Sequence, residues 1–327
     1  MNILITGGAG FIGSHLSERC VKQGWNVAVI DDLSTGAFEN IASLRSCGSF
    51  SYHIDSVFNA PLVAELVDSA DVIFHLAAAV GVRLVVHNLI RTIETNFGGT
   101  ETVLRAAAKK QKRVVIASSS EVYGKSEAVP FREDQNLIMG ETHNGRWSYA
   151  CSKMLDEFLG FAYWTERNVP VTVVRFFNTV GPRQTARYGM VVPNLVREAL
   201  LGDPLTVYGS GEQRRCFGYV ADIVEALVRV ARSTEMVGDV VNIGNDQEIS
   251  INDLAAAVKQ ITNSSSEITH IPYEEVYGPG FEDVFRRVPS LEKLERITGY
   301  RPTTSIDAII RSVANDMAHR LEQTPAA

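Results

Sequence analysis

Tyr149 and Lys153 stand four residues apart in Tyr149-Ala150-Cys151-Ser152-Lys153, a spacing that puts a phenol and an ammonium on one face of a helix. A free phenol titrates at about 10, too high for a base at neutral pH, and an adjacent positive charge lowers that value. Such a pair also occurs as plain helix-surface decoration, so a partner is needed. The run Ala117-Ser118-Ser119-Ser120-Glu121-Val122-Tyr123-Gly124 supplies one, with hydroxyls and a carboxylate following a β-favouring stretch. Ser119 can hydrogen-bond a substrate hydroxyl while Tyr149 takes its proton and a hydride leaves the same carbon. That is alcohol oxidation, and it requires a hydride acceptor.

A seat for the acceptor is legible at the start of the chain. Ile3-Leu4-Ile5-Thr6 reads as a strand, Gly7-Gly8-Ala9-Gly10 as a tight turn, and the apolar-periodic stretch from Phe11 and Ile12 to Val21 as a helix that stops at Gly24. Gly7, Gly10 and Gly13 recur every third residue, so the backbone can approach a pyrophosphate at the helix start, where free N–H groups and the dipole favour an anion. A second strand ends in Asp31-Asp32, where an acid is placed to accept from an adenosine ribose and to repel a 2′-phosphate. The expected cofactor is therefore NAD, whose nicotinamide adds positive charge beside the phenol.

Strands are expected at 3–6, 26–30, 50–54, 72–76, 113–118 and 171–176, alternating with helices; the long ones cover about 85–110 and 149–167. The fold class is α/β, a doubly wound parallel sheet of the Rossmann type with a smaller C-terminal substrate-binding lobe. The sheet domain is expected over 1–177 with 218–248 returning to it, and the lobe over 178–217 and 249–327. Ligands bind at the carboxyl ends of such strands, which places Asp55 near the adenine and Ala77-Ala78-Ala79 against the dinucleotide. Asn96, inward on the first long helix, is counted with the cofactor site as a group that satisfies nearby backbone.

Composition narrows the class. Over 327 residues, 45% hydrophobic and 21% charged content describes an ordinary globule, and a net charge of −7 argues against a nucleic-acid partner. No stretch is apolar enough to span a bilayer and a strand begins at once, so a cytoplasmic protein is expected. Cys20, Cys47, Cys151 and Cys216 are scattered, which gives neither a disulfide framework nor a metal site. Apolar residues on more than one face of the long helices, such as Leu155, Phe158, Leu159 and Tyr163, fit either a fully buried helix or, as expected here, a homodimer joined through a four-helix bundle.

TGGAGFIGSH, DDLSTG, SSSEVYG, YACSK and RFFNTVGPR together resemble the extended short-chain dehydrogenase/reductases that modify nucleotide sugars, over nearly the whole chain. The resemblance implies an enzyme that oxidises sugar C4 with NAD, using Ser119, Tyr149 and Lys153. It implies that Asn178, Tyr208 and Arg215 meet the diphosphate and base of a UDP-sugar, with Val191 nearby. Ser120 and Glu121 look like the pair that attends C5–C6 in UDP-glucuronate decarboxylases. Arg287, in DVFRRVPS, matches an arginine of those enzymes that binds the hexuronate carboxylate or the diphosphate, and Glu121 is expected to deliver a proton to C5. UDP-glucuronate decarboxylation is the preferred reading. The alternative is a UDP-sugar 4-epimerase, followed by a 4,6-dehydratase or a non-catalytic NAD sensor.

Overall fold

The computed structural model describes residues 1–81, 85, 88–186, 189–277 and 284–323. The first six strands are β1 (Asn2–Thr6), β2 (Asn26–Asp31), β3 (Phe50–Ile54), β4 (Val72–His75), β5 (Arg113–Ser119) and β6 (Val171–Phe176). Short strands β7 (Thr179–Val180), β8 (Leu205–Tyr208), β9 (Arg214–Cys216) and β10 (Gly218–Tyr219) precede β11 (Asp239–Ile243). β12 (Glu248–Ser250), β13 (Ile268–Ile271) and β14 (Arg286–Arg287) complete the set. Among the described residues, seven strands form one parallel sheet in the order β11-β6-β5-β4-β1-β2-β3. The chain steps outward from β1 to β3 and then returns to β4 on the other side of β1. That reversal parts the loops after β1 and β4 and opens a crevice at the carboxyl ends of the strands.

Apart from the edge strand β3, both faces of the sheet are largely covered, which is why its inner strands read as nearly continuous apolar runs. Ile3, Ile5, Val27, Val29 and Phe74 point to one core with Leu16, Ile223 and Leu227 from the helices Phe11–Lys22 and Val220–Arg232. Leu4, Ile30, Ile73, Ile116 and Val173 point to the other, with Val63 and Val67 from Ala60–Ser69 and Val103 and Leu104 from Leu89–Ala107. A third core gathers Val192, Leu195, Leu205, Val207, Leu254, Val258, Ile309 and Val313. The boundaries expected from sequence need one correction, because Leu291 and Leu294, at and inside the helix Glu292–Thr298, pack into the first core and not the third. The first long helix runs Leu89–Ala107; of its expected start, residues 86 and 87 lie outside the described residues.

The turn after β1 demands glycine at two places. Gly7 sits at φ +73°, and a Cβ on Gly13 would lie 2.1 Å from the Gly7 carbonyl oxygen, so the helix meets the turn backbone to backbone. The second long helix, Ser148–Arg167, is inverted relative to a simple amphipathic reading. It buries Ala150, Ser152, Lys153, Asp156, Glu157 and Gly160 and leaves Leu155 at 45% and Phe158 at 66% exposure. Among the described residues no helix is long and apolar enough to cross a membrane.

Candidate active site

The crevice is a cavity of about 1050 Å³ that runs from the glycine turn to Arg287. At the first end lie Gly7, Gly10, Phe11, Ile12, Asp31, Asp32 and Ala77, Ala78 and Ala79. The helix Phe11–Lys22 has no side-chain cap and no acid in its first turn, so its first N–H groups remain available to an anion. Asp31, which lines the cavity, also braces the backbone around it. Its Oδ2 accepts from Ala9 N at 2.9 Å and its Oδ1 from Leu33 N at 2.8 Å, which fixes the glycine turn; Asp32 is the exposed acid beside it. Burial pushes the Asp31 carboxyl up, and its backbone donors oppose that. A cradle where a Cβ would strike backbone, an uncapped helix start and a pair of acids fit a dinucleotide.

Two residues assigned to the cofactor are absent from this wall. Asp55 accepts from Ser56 N and Asn59 Nδ2, both at 2.7 Å, so it is engaged in the turn before Ala60–Ser69. Asn96 lies behind the wall, 1% exposed. It accepts from Ala79 N at 2.8 Å and donates to Ser152 Oγ at 3.0 Å, which ties the alanine backbone to the second long helix.

In the middle of the cavity β5 delivers Ser119 and the helix Ser148–Arg167 delivers Tyr149 and Lys153. The side chains of Ser119 and Tyr149 line the same stretch of the cavity. The expected lowering of the phenol by Lys153 is not what this arrangement gives. Burial pushes Tyr149 up first, the Glu121 charge adds to that, and the Ser119 hydroxyl opposes it. Lys153 instead donates to Asp156 Oδ2 at 2.7 Å, with both side chains buried.

At the inner end Glu121 Oε1 accepts from Arg287 at 2.7 Å, and Oε2 lies 2.8 Å from the Arg146 guanidinium. Burial alone would raise the Glu121 carboxyl, yet the two arginines hold it down at about 2. A carboxylate so placed is a poor proton donor near neutrality, which argues against the proton delivery expected of it. Arg146 is the residue the sequence reading missed. It sits in the turn Gly145–Trp147 just ahead of Tyr149, over the Trp147 ring at 5.3 Å; an arginine three residues before that tyrosine was the available signal. Ser120 lines the same end and is buried.

Toward the third core the cavity meets Asn178, Val191, Tyr208 and Arg215. Asn178 donates to Cys216 O at 3.4 Å, and Arg215 donates to Phe285 O at 3.2 Å, so β9 is held between the two. The four cysteines are free thiols.

A GDP-mannose 4,6 dehydratase family model matches residues 4–313. The chain is 45% identical over 303 residues to a UDP-N-acetyl-alpha-D-glucosaminuronate decarboxylase of Bacillus cytotoxicus, covering 92% of this chain and 93% of that protein. It is 36% identical to UDP-glucuronic acid decarboxylase 1 of Xenopus tropicalis, covering 98% and 73%. Among solved structures it resembles a UDP-glucuronic acid 4-epimerase from Bacillus cereus, solved with UDP-glucuronic acid and NAD, at TM-score 0.88 and 27% identity over 98% of this chain and 100% of that one. Because the match takes in the glycine turn, the Tyr149 helix and the Arg287 end alike, the chain belongs to the GDP-mannose 4,6 dehydratase family, within the extended short-chain dehydrogenase/reductases.

Proposed function

We propose that this protein is an NAD-dependent decarboxylase of a UDP-hexuronate, UDP-glucuronate first, that oxidises the sugar at C4 to release its carboxylate. The observation that carries this reading is the pairing of Glu121 with both Arg287 and Arg146 beside Tyr149. Two guanidiniums share one carboxylate there, so the inner end keeps a positive charge in a buried setting where it is strongly felt. A neutral hexose has nothing to offer that charge; a hexuronate has a carboxylate, the group a guanidinium binds bidentately. The relatives named above from Bacillus cytotoxicus and Xenopus tropicalis are named for uronate substrates.

Bound NAD supplies a reversible hydride acceptor for C4 and the positive charge that a buried phenol needs to ionise. Tyr149 takes the proton of the C4 hydroxyl, and Ser119 holds that oxygen and the phenol in line. The 4-ketone is β to the C6 carboxylate, so the C5–C6 bond breaks, carbon dioxide leaves and its electron pair passes into a C4–C5 enolate. C5 takes a proton from solvent, the hydride given up by C4 returns to it and reduces the ketone, and Tyr149 returns its proton to the C4 oxygen. Arg287 and Arg146 orient the departing carboxylate, while Glu121 keeps the two guanidiniums in place.

The residues around the third core form the nucleotide side of the cavity, where Arg215 meets the diphosphate and Tyr208 the base. This division of the chain into a sheet lobe and a nucleotide lobe is part of the proposal. So is a homodimer in which the exposed Ile90, Ile93, Leu155 and Phe158 of the two long helices meet their copies in a four-helix bundle, in the cytoplasm.

The deciding experiment incubates the purified protein, supplied with NAD, with UDP-glucuronate and its 2-acetamido analogue. Carbon dioxide with a UDP-pentose, or with the 2-acetamido pentose, supports the reading. UDP-galacturonate without gas would replace it with 4-epimerisation.

A further inference from the structure

Glu121 and Arg287 reach the inner end of the cavity from distant parts of the chain, so the turn that carries one must be held against the strand that carries the other. Asn242, in β11 and fully buried, makes that connection. Its Oδ1 accepts from the Tyr123 hydroxyl at 2.8 Å. Its Nδ2 donates to Phe131 O at 2.9 Å and to Ser290 O at 3.4 Å. Tyr123 closes the turn Ser120–Tyr123, two residues after Glu121. Ser290 follows Arg287 of β14 by three residues, and the chain between them is tied to Phe131 twice. Phe131 N donates to Val288 O at 2.7 Å, and Ser290 N donates to Phe131 O at 2.8 Å.

The carboxamide has only one way round. Backbone carbonyls accept and never donate, so Nδ2 must face Phe131 and Ser290, Oδ1 must face the phenol, and the phenol must donate. The main chain of Asn242 is fixed as well, because its N–H donates to Glu133 Oε1 at 2.9 Å and the residue pairs with Arg175 in β6. The Arg175 guanidinium lies 4.8 Å from the centre of the Tyr123 ring and forks onto Glu157 with bonds of 2.9 and 2.7 Å. Phe131 stacks on the same ring at 4.7 Å. The ring is thus packed into place, and its oxygen meets Asn242 at a set position. A buried group that loses a partner costs more than the bond itself contributes, so the three bonds of the side chain act as a rigid bracket.

We propose that Asn242 is a positioning residue for the uronate end of the cavity: through the Tyr123 hydroxyl and the Phe131–Ser290 backbone it sets the register of Glu121 against Arg287. The uronate part of this rests on the proposed function; the register of the two side chains does not. A guanidinium recognises a carboxylate by direction as well as by charge, so an Arg287 that is free to swing keeps its charge and loses its aim.

The test reads exchange with water of the Arg287 guanidinium protons in protein labelled with nitrogen-15 arginine, the signal being assigned by its loss in Arg287→Lys. Expected is slow exchange in the wild type; protons that exchange as fast as those of an exposed arginine would overturn the proposal before any variant is made. Tyr123→Phe keeps the ring beneath Arg175 and loses only the hydroxyl, and Asn242→Ala removes the bracket. In each, exchange at Arg287 should quicken by about tenfold or more. Arg113, whose guanidinium donates to Val230 O and Ser233 O at the start of β5, should keep its wild-type rate. Unchanged exchange at Arg287 in folded Tyr123→Phe sinks the idea, and so does equal quickening at Arg113, which is general loosening. Given NAD and UDP-glucuronate, both variants should raise KM about tenfold while the inhibition constant of UDP stays within about twofold. A merely structural role would lower the yield of folded protein and leave that ratio alone. If the wild-type protein turns over no uronate, the proposed function fails while the Arg287 signal still decides the register.

Discussion

Arg287 donates to Glu121 Oε1 at 2.7 Å across 166 residues of chain, and the pair closes the inner end of the cavity. Removing the negative member by Glu121→Gln leaves Arg287 and Arg146 facing each other without compensation. Loss of one partner from a buried ion pair costs about 3 kcal/mol or more, and we expect a drop of that size in urea unfolding at pH 7. The pH dependence follows from the sign. Glu121 is depressed in the folded chain from its ordinary 4.5 to about 2, so its contribution is fully present above about pH 4.5 and is lost as pH falls toward 2. The stability gap between wild type and variant should therefore narrow below pH 4.5 and stay constant above it.

Tyr149→Phe keeps the ring and removes the phenol oxygen from the cavity that Ser119 also lines. A positioned acid–base group contributes on the order of 10² to 10⁴ in rate, so kcat for uronate turnover should fall in that range while NAD binding, followed by fluorescence, stays as it was. An active phenylalanine variant would leave the proposed reaction without its base.

Gly13→Ala places a methyl group 2.1 Å from the Gly7 carbonyl oxygen. The turn must open, and the seat for the pyrophosphate goes with it. Wild-type protein at a hundredfold excess of NAD over its Kd should gain about 2.7 kcal/mol of stability. The variant should show no NAD-dependent thermal shift, with circular dichroism confirming that it is folded.

Phe158, 66% exposed, stands with Leu155 on the outer face of the helix Ser148–Arg167. Phe158→Glu puts a charge where the proposed bundle is dry, and sedimentation should move from dimer to monomer. Wild-type protein that sediments as a monomer at micromolar concentration would remove the bundle.

The sheet was legible because its inner strands are buried on both faces and punctuated by turns, and Ser119 and Tyr149 were legible because each sits at a recognisable element boundary. What escaped notice was tertiary. Arg146 finds Glu121 only once the loop after β5 folds back onto the helix start. Asp55 looked free at the end of β3, but Asn59 captures it one helical turn on. Lys153 has two neighbours on one helical face, Tyr149 at i−4 and Asp156 at i+3; spacing named the first and burial chose the second. The helix Glu292–Thr298 carried an apolar stripe with no indication of which core would take it.

The Arg146–Glu121–Arg287 cluster has a consequence for turnover. In the proposed reaction a hexuronate enters held at both ends, by its phosphates and by its acid group, and decarboxylation deletes the second handle as a gas. The pentose product faces the same arginines with nothing to give them. Release is built into the chemistry, and inhibition by accumulated product should be weak compared with inhibition by a uronate that cannot react.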